Sequence, residues 1–179
     1  MEKCLYLNGA DFFIFMSVIL YRNDGKTKTL AADSLCVKGD VVYSSPDKLL
    51  KLNDNQFVGG VGSADFSEYV KICLKDTLQK DETVITLRKK IADIVKEYGK
   101  TADAELLIAT FGKVYYVSVD NGELGCCLDI TDRDIYGIGY SEMAMGAVLA
   151  GLGLKEAIEL VSDREHSISK PAYEYIIER

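Results

Sequence analysis

The order of hydrophobic patterns along the chain is the feature that most restricts its fold. A block of short strand-like segments comes first and a pair of helix-like segments follows; a second strand block, a second helix pair and a last strand complete the chain. Two antiparallel sheets stacked face to face, with a helix pair on each outer side, bury every apolar face in such a pattern. We therefore predict an α+β fold with four layers in the order helices, sheet, sheet, helices (αββα).

The predicted strands are short and are separated by turns rich in Gly, Pro, Asn and Asp. The first two flank Asn23-Asp24-Gly25, where glycine supplies the positive φ of a hairpin turn. Strands are predicted over 18–22, 28–33, 41–44, 49–52, 57–61, 106–110, 114–117, 124–128, 135–138 and 173–177. Apolar residues at helical spacing predict helices over 66–77, 84–98, 142–149 and 154–161, with Gly99 as the stop of the second.

Composition excludes several classes of function. The 179 residues carry a net charge of −7, so the chain lacks the excess of Lys and Arg that nucleic-acid binding needs. Its five cysteines are an odd number without CxxC spacing, which favours reduced thiols and a cytoplasmic location over disulfides or a zinc site. A single histidine, His166, excludes a His-rich metal centre. The longest apolar run, 12–20, is shorter than the roughly 20 residues of a membrane-spanning helix.

Met16-Ser17 opens the first predicted strand and carries the most specific chemical signal. Removal of Met16 would leave the Ser17 hydroxyl beside its own α-amine, a group suited to act as a general base near neutral pH. An acid, Asp33, ends the next strand, and Lys48 follows. These are the parts of an N-terminal nucleophile, in which the terminal amine activates the side chain of its own residue. We interpret 1–16 as a propeptide or as an untranslated or disordered extension, and 17–179 as a single domain.

Simpler interpretations of each residue remain open. Ser17 taken alone could be an ordinary serine in mid-strand, and Asp33 a turn residue at a strand end. Lys48 alone could be a solvated lysine, although a lysine and an acid that are both buried are expected to pair. Gly60 and Gly62 could simply permit a tight turn from a strand into a helix.

Four short motifs occur in the order found in the proteasome β subunits and in HslV, the bacterial proteasome-like peptidase. The matching segments are Leu30-Ala31-Ala32-Asp33, Ser45-Pro46-Asp47-Lys48-Leu49-Leu50-Lys51-Leu52, Gly60-Val61-Gly62-Ser63-Ala64-Asp65 and Ile138-Gly139-Tyr140-Ser141. In turn they resemble the family's Ala-Ala-Asp or Ala-Gly-Asp, its Lys-Ile-x-Lys-Ile strand, its Ala-Gly-x-x-Ala-Asp turn and its Ile-Gly-Ser-Gly. The sequence from Ser17 to Arg179 thus resembles a proteasome-like N-terminal-nucleophile hydrolase.

The resemblance implies a role for each matched residue. Ser17 would be the nucleophile, where the family usually has threonine. Asp33 and Lys48 would form a buried pair that orients the nucleophile and tunes it electrostatically. Gly62 would offer its backbone N–H to the oxyanion, because glycine lets the substrate backbone come close. Gly60 would lie near the pocket for the substrate residue that precedes the cut.

Two positions depart from the family pattern. Tyr140 stands where the family has a serine after Ile-Gly, and Ser141, one place later, is the candidate for that catalytic hydroxyl. His166 stands where the family has an acid before the last strand. These departures concern the residues that assist the nucleophile, and they leave the predicted fold unchanged.

The implied function is that of a threonine/serine-type endopeptidase without a cofactor or a metal. It would cleave peptides, assemble into a homo-oligomeric ring, and have an ATP-dependent unfoldase as a candidate partner. The segments 144–147 and 152–154 are expected to supply apolar contacts between subunits. Two alternatives remain: an inactive proteasome-like scaffold whose N-terminal segment stays attached, and an amidase that acts on a small substrate.

Overall fold

The structure is a computed structural model that describes residues 17–38, 41–44, 48–164, 168 and 170–177. The predicted extension, 1–16, lies outside the described residues, and so does His166. The division of the chain at residue 17 therefore stays a prediction. In the described part of the chain, no helix is long and apolar enough to cross a membrane.

The described residues form eleven strands and four helices, in the order predicted for blocks of strands and helix pairs. The strands are β1 (Val18–Asn23), β2 (Lys28–Ala32), β3 (Leu35–Lys38), β4 (Val41–Ser44), β5 (Leu49–Asn53), β6 (Gln56–Gly62), β7 (Ala104–Thr110), β8 (Lys113–Asp120), β9 (Glu123–Asp129), β10 (Ile135–Gly139) and β11 (Tyr173–Ile177). The helices are α1 (Ala64–Lys75), α2 (Val84–Tyr98), α3 (Glu142–Leu149) and α4 (Leu154–Ser162).

The strands form two main antiparallel sheets. One has four strands in the order β10-β1-β2-β11, and the other has five in the order β5-β6-β7-β8-β9. The first and last strands of the described residues thus belong to the same sheet, with β2 between them. The small hairpin of β3 and β4 stands apart from both.

Three apolar clusters separate the four layers. Successive side chains of β1 point alternately into two of these clusters, because the strand is buried on both faces. Val18 and Leu20 pack against α3 and α4. Ile19 and Tyr21 pack against the five-stranded sheet. On the far side of that sheet, Val58 and Leu106 pack against α1 and α2. The predicted α+β fold with αββα layers is confirmed.

Strand β3 was not predicted, and its position bears on the site. Only Asp33 and Ser34 separate it from β2, with no Gly, Pro or Asn to signal a turn. The turn is instead stabilised by a side chain, because the Asp33 carboxylate accepts the backbone N–H of Leu35 at 3.0 Å. The end of β2 is therefore the place where an acid is held inside the protein and where the chain leaves the four-stranded sheet.

Candidate active site

Asp33 is the centre of a buried polar cluster. Its Oδ1 accepts the N–H of Val18 at 2.9 Å and lies 2.7 Å from the Lys48 ammonium, while Oδ2 accepts the N–H of Leu35. The side chains of Asp33 and Lys48 are 0 % and 4 % exposed. Because the carboxylate receives three donors, its burial is compensated by a full set of hydrogen bonds.

The peptide group between Ser17 and Val18 is held at both ends. Its N–H donates to Asp33, and its carbonyl oxygen accepts the N–H of Tyr140 at 2.9 Å. The Ser17 residue is half-buried. Two backbone hydrogen bonds on opposite sides of one peptide plane leave little freedom for the Cα atom of Ser17, so the residue that the sequence singles out as the nucleophile is fixed in position.

Gly139 forms the close contact on the carbonyl side of that peptide. It has a left-handed φ of +69°, and a Cβ built on it would overlap the Ser17 carbonyl oxygen. Tyr140, which follows it, is 46 % exposed. A large exposed side chain therefore stands at the position of the family's serine, while the backbone N–H of the same residue holds Ser17.

Ser141 is buried, and its side chain lies against Gly137. A Cβ built on Gly137 would meet the Ser141 Oγ at 2.6 Å and a methyl group of Leu20 at 3.0 Å. Leu20 belongs to the apolar cluster under α3 and α4, so this hydroxyl lies on the helix-facing side of the four-stranded sheet. The part assigned to Ser141 in catalysis stays a prediction.

At its C-terminal end β6 extends beyond its pairing with β5 in the described part of the chain. In the described part of the chain, β5 pairs with β6 no further than Leu49 opposite Gly59, whereas β7 pairs with β6 up to Gly62 opposite Ala104. The segment 60–62 therefore has backbone groups that no described strand covers on the β5 side. Gly62 has a φ of +95°, a left-handed value that favours glycine.

Packing explains why residue 60 is a glycine. A Cβ at this position would lie 2.6 Å from Ser67 Oγ on α1 and 2.9 Å from a methyl group of Leu106 on β7. The absence of a side chain lets α1 come close to β6. The predicted place of Gly60 beside a substrate pocket stays a prediction, as does the role of Gly62 at the oxyanion.

Glu105 is a polar residue of this region that the sequence analysis missed. Its Oε2 accepts the N–H of Gly139 at 2.9 Å, and its Oε1 accepts the hydroxyl of Tyr116 at 2.8 Å. Burial, followed by this hydrogen bond, raises the pKa of Tyr116 above its ordinary value. The available signal was one charged residue in an otherwise almost wholly apolar strand, Ala104–Thr110.

Metal ligands are not grouped in the described part of the chain, where no set of three or more His, Cys, Asp or Glu residues could hold an ion. The residues that the structure brings together are Ser17, Asp33, Lys48, Gly139 and Glu105. The Ser17–Val18 peptide and the Gly139 N–H are hydrogen-bonded to the carboxylates of Asp33 and Glu105, and Asp33 also binds the Lys48 ammonium.

Comparison with known proteins gives a result at the level of structure. No protein-family model matches the sequence, and a search of curated proteins finds no match. Among solved structures, the chain is similar to BPH, a bacterial proteasome homologue from Thiobacillus denitrificans in complex with epoxomicin, with a TM-score of 0.69 at 18 % identity, over 90 % of this chain and 98 % of that one.

Two further solved structures are similar to this chain over most of its length. HslV from Trypanosoma brucei has a TM-score of 0.62 at 19 % identity, over 90 % of this chain and 99 % of that one. Anbu, an ancestral β-subunit from Yersinia bercovieri, has a TM-score of 0.62 at 13 % identity, over 89 % of this chain and 81 % of that one. The chain therefore has the fold of the proteasome-like N-terminal-nucleophile hydrolases.

Proposed function

We propose that this protein is a subunit of a self-compartmentalising peptidase whose nucleophile is the hydroxyl of an N-terminal Ser17. The observation that carries the proposal is the Ser17–Val18 peptide, held between Asp33 and the N–H of Tyr140 next to a buried lysine. The bond from Tyr140 continues the pairing of β1 with β10, whereas the buried Asp33–Lys48 pair at the Val18 N–H belongs to no strand pairing. Such a fixed position suits a nucleophile, because its attack depends on geometry.

The proposed reaction proceeds through an acyl-enzyme. The α-amine of Ser17 accepts the proton of its own hydroxyl while Oγ forms a bond to the carbonyl carbon of the scissile peptide. The C–N bond then breaks, and the ammonium returns the proton to the leaving amine. A water molecule, deprotonated by the same amine, attacks the ester, releases the new carboxyl end of the substrate and regenerates the Ser17 hydroxyl.

Two parts of the site would stabilise the charges of this reaction. The oxyanion would accept a backbone N–H at the end of β6, with Gly62 as the candidate donor, since in the described part of the chain β5 does not pair beyond Gly59. The Lys48 ammonium shares one carboxylate oxygen with the Val18 N–H, so its positive charge stands close to Ser17. That positive charge favours the neutral form of the α-amine and attracts the negative charge that develops on the substrate, and the Asp33 carboxylate offsets it in part.

The assembly into a ring, the peptide substrates, the unfoldase partner and the cytoplasmic location belong to the same proposal. One expectation about the subunit contacts changes, because Ala144 and Leu154 lie inside the helix-facing core and are not surface residues. Met143 and Leu149 of α3 are instead exposed, together with Leu160 of α4. These apolar side chains are the better candidates for contact between subunits.

Two chains that differ at the N-terminus test the proposal. One is translated from Met1 and the other from Met16. In the second chain the initiating Met16 is readily removed, because the small residue Ser17 follows it. Intact mass gives the first residue, light scattering gives the assembly, and cleavage is measured on an unfolded protein and on fluorogenic peptides. We expect cleavage by the chain that begins at Ser17, its loss in Ser17→Ala, and no effect of Ser162→Ala, which removes a hydroxyl bonded to the Glu159 carbonyl on α4.

Four outcomes would overturn the proposal. A fully active protein that retains Met1, or a Ser17→Ala variant that cleaves as well as the wild type, excludes Ser17 as an N-terminal nucleophile. Absence of peptide cleavage in every assembly state favours the scaffold. Turnover of small amides without cleavage of peptides favours the amidase.

A further inference from the structure

The Glu105 carboxylate joins the two sheets at the end of the fold that holds Ser17. Glu105 lies on β7 of the five-stranded sheet, whereas Gly139, whose N–H it accepts at 2.9 Å, ends β10 of the four-stranded sheet. Its second oxygen accepts the hydroxyl of Tyr116 on β8 at 2.8 Å. Both carboxylate oxygens are thus used, one within its own sheet and one across to the other.

The amide that Glu105 holds is next to the amide that holds Ser17. Gly139 turns the chain with its left-handed φ, and the following N–H, that of Tyr140, donates to the Ser17 carbonyl. Neighbouring peptide planes share a Cα atom, so the two planes at Gly139 form one corner, with one plane held by Glu105 and the next held by Ser17. We therefore expect the position of the Ser17 carbonyl to depend on the acceptor of the Gly139 N–H.

Tyr116 fixes the carboxylate from the other side. Because burial and the hydrogen bond to Glu105 raise its pKa, Tyr116 remains a protonated donor at physiological pH. Its ring also lies 5.2 Å, between centroids, from the ring of Tyr136 on β10. The Tyr116 hydroxyl therefore holds the Glu105 carboxylate in one orientation. The Tyr116 ring itself packs against β10, the strand whose Gly139 N–H Glu105 accepts.

We propose that Glu105 is a positioning residue for Ser17: it fixes the corner of Gly139 and Tyr140 that holds the Ser17 carbonyl, while Asp33 holds the N–H of the same peptide. The peptide after the nucleophile is then supported by one acid from each sheet. This inference rests on the proposed function only in treating Ser17 as the nucleophile. The structural coupling from Glu105 to Ser17 can be measured without any catalysis.

Hydrogen exchange followed by mass spectrometry tests this coupling in the full assembled protein. Glu105→Ala removes the acceptor, and Glu105→Gln keeps one oxygen for the Gly139 N–H. Glu123→Ala removes a carboxylate from an exposed position of β9 and controls for the change in charge. We expect exchange in the segment 138–141 to rise by about tenfold or more in Glu105→Ala, since a hydrogen bond to a charged acceptor is lost. Exchange in α2 should not change, and Glu105→Gln and Glu123→Ala should resemble the wild type.

The same variants separate positioning from general stability. Unchanged exchange at 138–141 in Glu105→Ala, or an equal rise in α2, overturns the proposal. If Glu105→Ala does not fold, Glu105→Asp makes the same comparison, because its carboxylate keeps the charge but is one methylene too short to reach both donors. With a cleavable peptide, kcat should fall in Glu105→Ala with KM nearly unchanged, and Glu105→Gln should recover it.

The failure of this inference can be told apart from the failure of the proposed function. If the wild type cleaves nothing but exchange at 138–141 rises in Glu105→Ala, the peptidase is wrong and the coupling to Ser17 stands. If the wild type cleaves, and Glu105→Ala keeps both its exchange and its kcat, Glu105 is not a positioning residue and the peptidase stands.

Discussion

The Lys48 ammonium lies 2.7 Å from the Asp33 carboxylate, and this ion pair crosses from one sheet to the other. Asp33 follows β2 of the four-stranded sheet, and Lys48 directly precedes β5 of the five-stranded sheet. The pair therefore combines two tasks. It links the layers at the end where Ser17 lies, and it places a positive charge there that an acid neutralises in part.

Removal of Lys48 should destabilise the protein far more than removal of Lys51, a surface lysine in the strand that follows it. Lys48→Met leaves the Asp33 carboxylate buried with one donor fewer, which typically costs about 3–5 kcal/mol. Lys51→Met is the matched control, because its partner Asp54 is 87 % exposed and such surface pairs contribute about 0–1 kcal/mol. Urea unfolding measures both variants, and equal losses of stability would contradict the burial of the Lys48 pair.

Gly139 should tolerate no side chain. In Gly139→Ala the left-handed φ alone costs about 1–2 kcal/mol, and the new methyl group would overlap the Ser17 carbonyl oxygen. Gly146→Ala is the control, since the helical Gly146 has open space around its Cα and alanine there should stabilise α3 by up to about 1 kcal/mol. We expect opposite shifts in the urea midpoint, and a loss of any cleavage activity in Gly139→Ala alone.

The sequence predicted the layers of the fold because each apolar pattern has one way to be buried. Strands with apolar residues on both faces, such as β1 and β7, require cover on two sides, and the two helix pairs supply the outer covers. Strand β3 escaped prediction because the Asp33 side chain, and not a Gly or Pro, makes the turn before it. A lone Asp between two apolar runs is too weak a turn signal to separate them into two strands.

The site was predictable only in part. Ser17, Asp33 and Lys48 could be connected through the resemblance to a family, which stands in for the long-range contacts that no local pattern contains. Glu105 could not be connected to the site in this way. An acid next to the start of a strand ordinarily faces solvent, and nothing in the sequence indicates that the Gly139 N–H at the end of β10 reaches this carboxylate. The direction of the Ser141 side chain likewise depends on its approach to Gly137, which is a property of the folded chain.

Glu82 ties the connection between α1 and α2 to the five-stranded sheet. Its carboxylate is fully buried and accepts the Gln79 N–H, the Thr86 hydroxyl and the Lys90 ammonium, the last at 2.5 Å. Its backbone carbonyl accepts the Tyr115 hydroxyl at 2.6 Å. Burial by itself raises the pKa of Glu82, but the hydrogen bonds outweigh it and hold the pKa below the ordinary value of 4.5.

The free energy of unfolding should therefore decrease in acid as Glu82 becomes protonated. A carboxyl whose pKa is lower in the folded state stabilises the protein above its unfolded pKa, and that contribution is lost as the pH drops through the folded value. Glu82→Gln lacks it, so the difference in unfolding free energy between wild type and Glu82→Gln should be largest near pH 7 and should shrink toward pH 3. Glu123→Gln, at an exposed position, should show a much smaller difference at every pH. A difference for Glu82→Gln that stays constant from pH 7 to pH 3 would rule out the effect.

Peptide cleavage should decline as the pH falls below neutral, because the proposed base is an α-amine that must be neutral to accept a proton. An ordinary α-amine titrates close to pH 8. The Lys48 charge favours its neutral form and the Asp33 charge favours its protonated form, so the decline is expected around pH 8. Lys48→Met, studied where it remains folded, should move the decline of kcat/KM to higher pH because that charge is gone. Lys51→Met should leave the profile unchanged.

A pH profile that is identical in wild type and Lys48→Met would show that the lysine does not act on the base. Cleavage by a chain that retains Met16 would exclude the α-amine of Ser17 as the base.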